Sequence, residues 1–432
     1  MIYIIFLIAL LIFLITRVSK IAGNRNTYNI LDFGFFISII LGLYTIFPSI
    51  SFLIFKDNLI FLGSRINNIQ PTNSDVSYLL LISISIVLGI FISYKFSSSK
   101  YNFELQDIKF IGNRVFENSL WLLVISTLLI TLIKTQYGLY NIESYAGTYT
   151  TFWKIPTIVR QFYLVFQGAQ EFSKIIILVG VFQRTSINKK VLVLLIFIYL
   201  LITFDSGGAR AGLFVNLLLI FALYQLFIKK FSKKKMFLFS LIGLAIFSLL
   251  GLFRGGLSTG DIVLSSFLVV GEFTNIWTNA LHVLQLQSDG LLSMPFNVRI
   301  NEFISFIPSQ FLPFEKLSPN DWYINTFYSK ALEKGNGLGF GIIAQSISDG
   351  GLFFAFLRGF LLGKISLMFK KAVFKSNKWW VFPVYLIIFL GLYSSVRSSA
   401  FITFTNPIIK LFLFITLISL TIKPKNNYAH KN

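Results

Sequence analysis

The stretch IYIIFLIALLIFLIT, residues 2–16, decides the class of this protein because it carries no charge and consists almost wholly of large apolar side chains. A helix needs about 20 mostly apolar residues to cross the hydrocarbon core of a lipid bilayer. No basic segment precedes the stretch, and no small-residue cleavage site follows it. We therefore interpret it as a first membrane span and not as a cleaved signal peptide.

Apolar stretches of similar length recur along the whole chain. They lie at residues 2–16, 30–54, 78–96, 119–137, 162–182, 191–204, 211–228, 237–253, 341–363, 379–396 and 403–422. This pattern predicts an all-α fold, a polytopic integral membrane helical bundle of about 11 transmembrane helices that forms a single domain over residues 1–432. Only 13% of the residues are charged, about half the share in a typical soluble domain. A soluble enzyme is therefore excluded.

The formal net charge of +21 is concentrated in alternate connections between the apolar stretches. The largest group consists of Lys229, Lys230, Lys233, Lys234 and Lys235. Basic residues placed in this way are typical of the cytoplasmic connections of a membrane protein and do not indicate a nucleic-acid partner; contact with anionic lipid is a second reading of the lysines. The sequence predicts a bacterial inner (plasma) membrane protein with a periplasmic N-terminus and a cytoplasmic C-terminus.

The connection at residues 254–340 is much longer than the others and is expected to face the periplasm. It contains two apolar pieces, at 262–286 and 300–314. A full crossing by the first piece alone would invert every later connection. We therefore expect a large helical periplasmic loop that includes a re-entrant or surface-lying helical pair.

Four polar side chains in this loop, Glu272, Asn275, Asn279 and His282, are spaced three, four and three residues apart. That spacing places them on one face of a helix. One interpretation is a cavity lining that contains a general base, either Glu272 or His282. The alternative is a surface helix that turns its polar side to water.

Arginines on the predicted outward side form a second group of candidates. They are Arg160, Arg210, Arg254, Arg299 and Arg397. A guanidinium group stays charged and binds phosphate oxygens in pairs, which suits a lipid diphosphate. Arg210 and Arg254 are favoured because each stands close to two consecutive glycines. Snorkelling at the membrane interface explains the arginines without a ligand, and Arg210 could instead pair with Asp205.

Metal chemistry finds little support in the residues. The chain has no cysteine, its two histidines are His282 and His430, and its outward side shows no Asp-x-Asp pair or dense carboxylate cluster. Disulfides, a thiolate site and a histidine cluster are therefore excluded. We expect no metal and no cofactor.

Ala355, Gly359 and Gly363 form a ridge of small residues at four-residue spacing in the stretch 341–363. Such a ridge predicts close packing against another span. Arg358 lies in the same stretch and, with Lys364, is expected to mark its cytoplasmic end; a buried functional role is the alternative.

Taken together, the sequence resembles the Wzy-type oligosaccharide repeat-unit (O-antigen or capsular polysaccharide) polymerases. The resemblance is carried by SGGARAGLF at 206–214, by the late outward loop rich in Phe, Pro and Tyr, and by GFGIIAQSISDGGLFFAFLRGFLLG at 339–363. It covers the layout of the chain and about 150 residues between Asp205 and Lys364. Family members often carry a Glu-x-Tyr-like element in the span after the loop, where this chain reads Ala344, Gln345 and Ser346.

This resemblance implies a metal-independent glycosyltransferase that joins undecaprenyl-diphosphate-linked oligosaccharide repeat units on the periplasmic face of the membrane. Arg210, Arg254, Arg299 and Arg397, with Asn275 and Asn279, would bind the substrate, and Glu272 or His282 would act as the base. A chain-length regulator and a flippase are the implied protein partners. Aromatic side chains of the loop, including Trp322, Tyr323 and Tyr328, would stack on sugars or anchor the loop at the membrane interface.

Two other functions fit the same layout. A lipid-linked oligosaccharide flippase or transporter would show internal repeats and interrupted helices in matching halves, and no such duplication is evident in the sequence. An O-antigen ligase would share the arginines and the outer loop and would differ only in its acceptor.

Overall fold

The computed structural model describes residues 1–22, 31–55, 71–97, 110–139, 152, 154–184, 191, 194, 210–228, 262–307, 311–328, 339–376, 378–401 and 404; for 55, 210–215, 262–273 and 275 it describes the backbone alone. The described part contains α-helices and no strand. They are α1 (Ile2–Ala22), α2 (Phe33–Phe55), α3 (Asn73–Phe96), α4 (Asn113–Gln136), α5 (Thr157–Gln183), α6 (Arg210–Phe227), α7 (Ile262–Ser288), α8 (Phe296–Ile304), α9 (Pro319–Phe327), α10 (Gly341–Gly350), α11 (Leu352–Lys375) and α12 (Val381–Arg397).

Six of these helices are long and apolar enough to cross a membrane, namely α1, α2, α3, α4, α5 and α11. The end of α6 and all of α12 are apolar but shorter. The predicted all-α class is confirmed for the described residues. The span predicted at 237–253, and nearly all of those at 191–204 and 403–422, lie outside them.

Helix starts follow from local side-chain chemistry. The Thr72 hydroxyl accepts a hydrogen bond from the Asp75 N–H at 3.2 Å, and the Asp75 carboxylate accepts one from the Thr72 N–H at 2.8 Å. This capping box satisfies backbone donors that would otherwise be unpaired at the start of α3. At the start of α9 the Ser318 hydroxyl accepts a hydrogen bond from the Asp321 N–H at 3.0 Å, and Pro319 follows directly.

The ridge of small residues packs against α3, as predicted. A Cβ atom on Gly359 would lie 1.9 Å from the Ile86 carbonyl oxygen, and one on Gly363 would lie 2.7 Å from the Ser93 side chain. Because both residue numbers rise together along the contact, α3 and α11 run parallel. Glycine is required here because the two backbones touch.

The stretch 341–363 is not one continuous span, and that expectation is wrong. Helix α10 ends at Gly350 and α11 begins at Leu352. Gly350 and Gly351 have φ angles of 132° and 79°, a region that side chains with a Cβ rarely adopt. The Gly351 N–H donates to the Ser346 carbonyl oxygen at 2.8 Å, which closes α10.

A buried ion pair marks one end of the bundle and shows in which direction four helices run. The ammonium group of Lys370 lies 3.1 Å from the Asp32 carboxylate, and the Tyr94 hydroxyl donates to the same carboxylate at 2.6 Å. Lys370 also donates to the carbonyl oxygen of Ala22, the last residue of α1. Helices α1, α3 and α11 therefore run towards this end of the bundle, here called the Asp32 end, and α2 starts from it.

Helix α12 runs parallel to α2. Phe33 stacks on Tyr385 with ring centroids 4.1 Å apart, and the hydroxyls of Tyr44 and Tyr393 lie 2.7 Å apart further along the same two helices. Arg397, at the end of α12, therefore lies at the other end of the bundle, here called the Arg397 end.

Helix α7 spans Ile262–Ser288, close to the predicted 262–286. It packs against α2 and α10, and Trp277, Asn279 and Ala280 are fully buried. The second half of α7 is therefore not a surface helix with its polar side in water. Helix α8 ends at Ile304 and packs against α9, so it covers only part of the apolar piece predicted at 300–314.

Candidate functional site

His282 lies in the last two turns of α7, where two tyrosines from the α9 region reach its ring. Its Nδ1 atom is 2.8 Å from the Tyr323 hydroxyl and 3.1 Å from the Tyr328 hydroxyl. The ring is half-buried and makes an edge contact with Phe327. Helix α9 thus fixes the orientation of an imidazole at the Arg397 end.

Burial decides the protonation of this group. It lowers the pKa of His282 below its ordinary value and raises the pKa values of Tyr323 and Tyr328, because burial disfavours the charged form of each side chain. The imidazole is therefore neutral at pH 7, and both phenols keep their protons.

Asn279 lies one turn before His282 on α7 and links this helix to the segment that leads into α10. Its side-chain amide donates to the Gly339 carbonyl oxygen at 2.6 Å, and its own buried Oδ1 finds no hydrogen-bond partner among the described residues. A Cβ atom on Gly339 would lie 2.8 Å from the Arg397 carbonyl oxygen. Asn279 and Arg397 therefore meet through the backbone of residue 339.

Arg397 is partly exposed at the end of α12 and donates to the Tyr393 hydroxyl at 3.3 Å. Arg299, on α8, has a side chain that is 42% exposed, and its guanidinium lies 3.7 Å from the Asp349 carboxylate at the end of α10. The two arginines thus lie at the same end of the bundle with different partners.

A buried charge network connects their surroundings. The Arg358 guanidinium donates to the Glu302 carboxylate at 2.8 Å and forms a second ion pair with Asp349. The other Glu302 oxygen accepts from the Ser399 hydroxyl at 2.7 Å, two residues beyond Arg397. The network joins α8, α10, α11 and the segment after α12.

The sequence predicted that Arg358 marks the end of its span opposite the loop, and that prediction is wrong. Arg358 is buried and pairs with Glu302 of the loop. The broken helix explains the difference, because the turn at Gly350 and Gly351 places Arg358 near the start of a new helix. Glu302 was not recognised as a partner of Arg358 because 56 residues separate the two. For Asp349, an acidic residue beside a Gly–Gly break was a usable signal.

The other predicted residues are only partly described. Arg254 lies outside the described residues, and Arg210 begins α6 with its side chain outside them. Glu272 and Asn275 belong to α7, and their side chains likewise lie outside the described part. The structure places Asn279, His282, Arg299 and Arg397 at the same end of the bundle, each with its own contacts.

Two aromatic residues of the loop were expected to stack on sugars or to anchor the loop at the membrane, and both roles need an exposed ring. Trp322 and Tyr323 are buried, and Tyr323 binds His282. Within the described residues, no three His, Cys, Asp or Glu side chains lie close enough together to hold a metal ion.

The chain matches no protein-family model, no curated protein and no solved structure. The chemistry of the site must therefore follow from its own geometry.

Proposed function

We propose that this protein is a polysaccharide polymerase of the bacterial inner membrane. It joins undecaprenyl-diphosphate-linked oligosaccharide repeat units on the periplasmic face, as in O-antigen or capsule biosynthesis. The observation that carries the proposal is that Arg299, Arg397, Asn279 and His282 lie at the same end of a helical bundle with long apolar helices.

Phosphate binding is the first task of such a site. A lipid diphosphate remains at the bilayer surface while its tail stays among the helices. Arg397 ends α12, Arg299 lies on the short helix α8, and both are partly exposed. Guanidinium groups bind phosphate oxygens strongly. Arg210 and Arg254 belong to the same proposal through their predicted outward position.

Transfer of the glycan requires a leaving group and a proton acceptor. The oxygen of an acceptor sugar hydroxyl attacks the anomeric carbon of the donor glycan, and the bond from that carbon to the diphosphate oxygen breaks. Undecaprenyl diphosphate leaves with the electron pair of that bond, and the hydroxyl proton passes to a general base. Fixed arginines stabilise the charge that develops on the leaving diphosphate.

Glu272 and His282 are the candidates for the base. Since ten residues separate them on α7, their Cα atoms lie about 15 Å apart along the helix axis. One acceptor hydroxyl cannot contact both side chains, so only one of the two acts as the base.

The polymer made in cells tests the arginine assignment. We expect Arg397→Ala to shorten the polymer or abolish it, because removal of one charged contact to a developing oxyanion costs about 10²- to 10³-fold in rate. Arg17→Ala is the matched control, since Arg17 is exposed near the Asp32 end. Normal polymer length both from Arg397→Ala and from the double variant Arg210→Ala, Arg254→Ala would refute the proposal.

A further inference from the structure

Helix α8 has the opposite polarity to a helix on the surface of a soluble protein. Asn301 and Glu302 lie on its buried face together with Val298, whereas Phe296 and Phe303 are 74% and 47% exposed. The two phenylalanines are seven residues apart, which places them on one face of the helix. A helix that turns a carboxylate inwards and aromatic rings outwards is suited to apolar surroundings and not to water.

Exposed apolar side chains continue on both sides of α8. Leu291 before the helix, and Phe306 and Phe311 after it, are exposed as well. Single apolar side chains are ordinary on any protein surface, but such a concentration favours contact with a membrane or with another protein.

The contacts of α8 place it at the level where the long helices begin and end. Glu302 pairs with Arg358, in the second turn of α11, and accepts a hydrogen bond from Ser399, two residues beyond the end of α12. Phe303 stacks on Phe401 in the same segment, with ring centroids 4.9 Å apart. Helix α8 therefore lies beside the first turns of α11 and the end of α12.

The start of α11 indicates what surrounds the bundle at this level. Phe353, Phe354 and Leu357 are exposed there, and α11 is long and apolar enough to cross a membrane. Exposed apolar side chains on such a helix face lipid. With nine residues, α8 is about 14 Å long, less than half the thickness of the hydrocarbon core. It is therefore too short to cross the bilayer.

Two cations flank the exposed phenylalanines. Arg299 stands between Phe296 and Phe303 on α8, and its side chain is partly exposed beside Asp349. The Lys316 ammonium donates to the carbonyl oxygen of Ile307, next to Phe306, at 2.8 Å. Basic groups beside aromatic side chains are typical of helices that lie in the membrane interface, where the cations meet lipid phosphates. The pattern therefore favours lipid over a protein partner.

We infer that α8 lies in the membrane interface at the Arg397 end, with Phe296 and Phe303 among the acyl chains of that leaflet. The bilayer then covers the aromatic face of α8, and the bundle covers the face that carries Glu302. Arg299 is held at the level of the lipid phosphates. The inference concerns the bilayer itself and does not depend on the proposed polymerase activity.

Spin labels on introduced cysteines measure this depth, because the chain has no cysteine of its own. The full-length variants Phe296→Cys and Phe303→Cys carry a nitroxide in vesicles of phosphatidylethanolamine and phosphatidylglycerol. Power-saturation EPR compares collisions with oxygen, which concentrates in hydrocarbon, and with a water-soluble nickel chelate. We expect both labels to favour oxygen and to lie about 5–10 Å below the phosphates.

Two further variants calibrate the measurement. Asp321→Cys labels an exposed position on α9 of the same loop and should favour the nickel chelate, whereas Leu361→Cys labels an exposed position on α11 and should favour oxygen. Phe296→Cys remains informative if loss of the Phe303 stacking contact destabilises the other variant, because Phe296 is the more exposed of the two.

Two results would overturn the inference. Labels at positions 296 and 303 that favour the nickel chelate would place the aromatic face in water. Poor access of both reagents would show that protein, such as a second copy of the chain, covers the face in place of lipid. Because no substrate is present, either result leaves the polymerase proposal to its own test, and failure of the protein to form polymer leaves the measured depth unchanged.

Discussion

At the scale of single residues, a buried network of three charged side chains should matter most for stability. Arg358 is buried between Glu302 and Asp349. Its removal would break both buried ion pairs, although Asp349 would keep its 3.7 Å contact with Arg299. Removal of one member of such a network is therefore expected to cost far more than an exposed ion pair contributes.

We predict that Arg358→Ala destabilises the protein by about 3–5 kcal/mol, the cost of breaking a buried ion pair. Lys371→Ala is the matched control, because Lys371 is an exposed cation on the same helix. Thermal unfolding in detergent measures both variants. Equal melting temperatures for Arg358→Ala and Lys371→Ala would show that the network does not stabilise the fold.

The pKa of His282 predicts a dependence of stability on pH. Burial lowers this pKa below its ordinary value of 6.5, and the titratable groups that contact the ring, Tyr323 and Tyr328, stay neutral near pH 7. Between the two pKa values the unfolded chain binds more protons than the folded one, so stability increases with pH in that window. The contribution is complete above pH 6.5 and is lost as the pH falls towards the folded-state pKa.

The difference in melting temperature between the wild-type protein and His282→Gln isolates this effect. We expect the difference to change between about pH 7 and pH 5, with the wild-type protein losing more stability in acid. Parallel curves across that range would show that His282 does not titrate differently in the folded and unfolded states.

At the scale of elements, the glycine contact between α3 and α11 sets how closely two helices approach. A methyl group on Gly359 would meet the Ile86 carbonyl oxygen at 1.9 Å, and the backbones must separate to admit it. Overpacking of this kind costs about 1–3 kcal/mol.

We therefore predict that Gly359→Ala lowers the melting temperature measurably. Gly112→Ala is the control, since nothing lies within 4 Å of a Cβ at Gly112 and its φ is −60°. A Gly359→Ala variant as stable as Gly112→Ala would exclude a tight contact between α3 and α11.

Sequence predicts these elements unevenly. The length of the apolar stretches predicted α1 to α5, because a helix of each length is about as long as a bilayer is thick. The spacing of small residues predicted the packing ridge. The break at Gly350 and Gly351 was missed because apolar residues continue on both sides of it, although consecutive glycines are a known stop signal for a helix.

The candidate site was predictable only where its residues share one helix. Asn279 and His282 were found from helical periodicity, because α7 brings them onto one face. Glu302, Asp349 and Arg358 come from three helices, and Tyr323 reaches His282 from a fourth. Contacts between distant segments depend on how helices pack, and no local pattern in the sequence encodes them.

At the scale of the whole molecule, the helix directions place the described part of the loop and Arg397 at the same end of the bundle. Helices α1, α3 and α11 run towards the Asp32 end, and α2 and α12 run away from it. We propose that the Asp32 end faces the cytoplasm, because basic residues accumulate in connections that are cytoplasmic.

Labelling of introduced cysteines tests this orientation, since the chain has no cysteine of its own. Asp321 and Lys378 are exposed residues beyond opposite ends of the bundle. We expect a membrane-impermeant maleimide to label Asp321→Cys in intact spheroplasts and to label Lys378→Cys only after the membrane is opened. The opposite pattern would invert the proposed topology.

The most direct measurement follows both products of the proposed reaction. Purified protein in vesicles, supplied with undecaprenyl-diphosphate-linked repeat units and a metal chelator, should release one undecaprenyl diphosphate for every new glycosidic linkage and yield a ladder of lengthening glycans. Substrate that crosses the vesicle membrane without release of undecaprenyl diphosphate and without longer glycans would contradict the account.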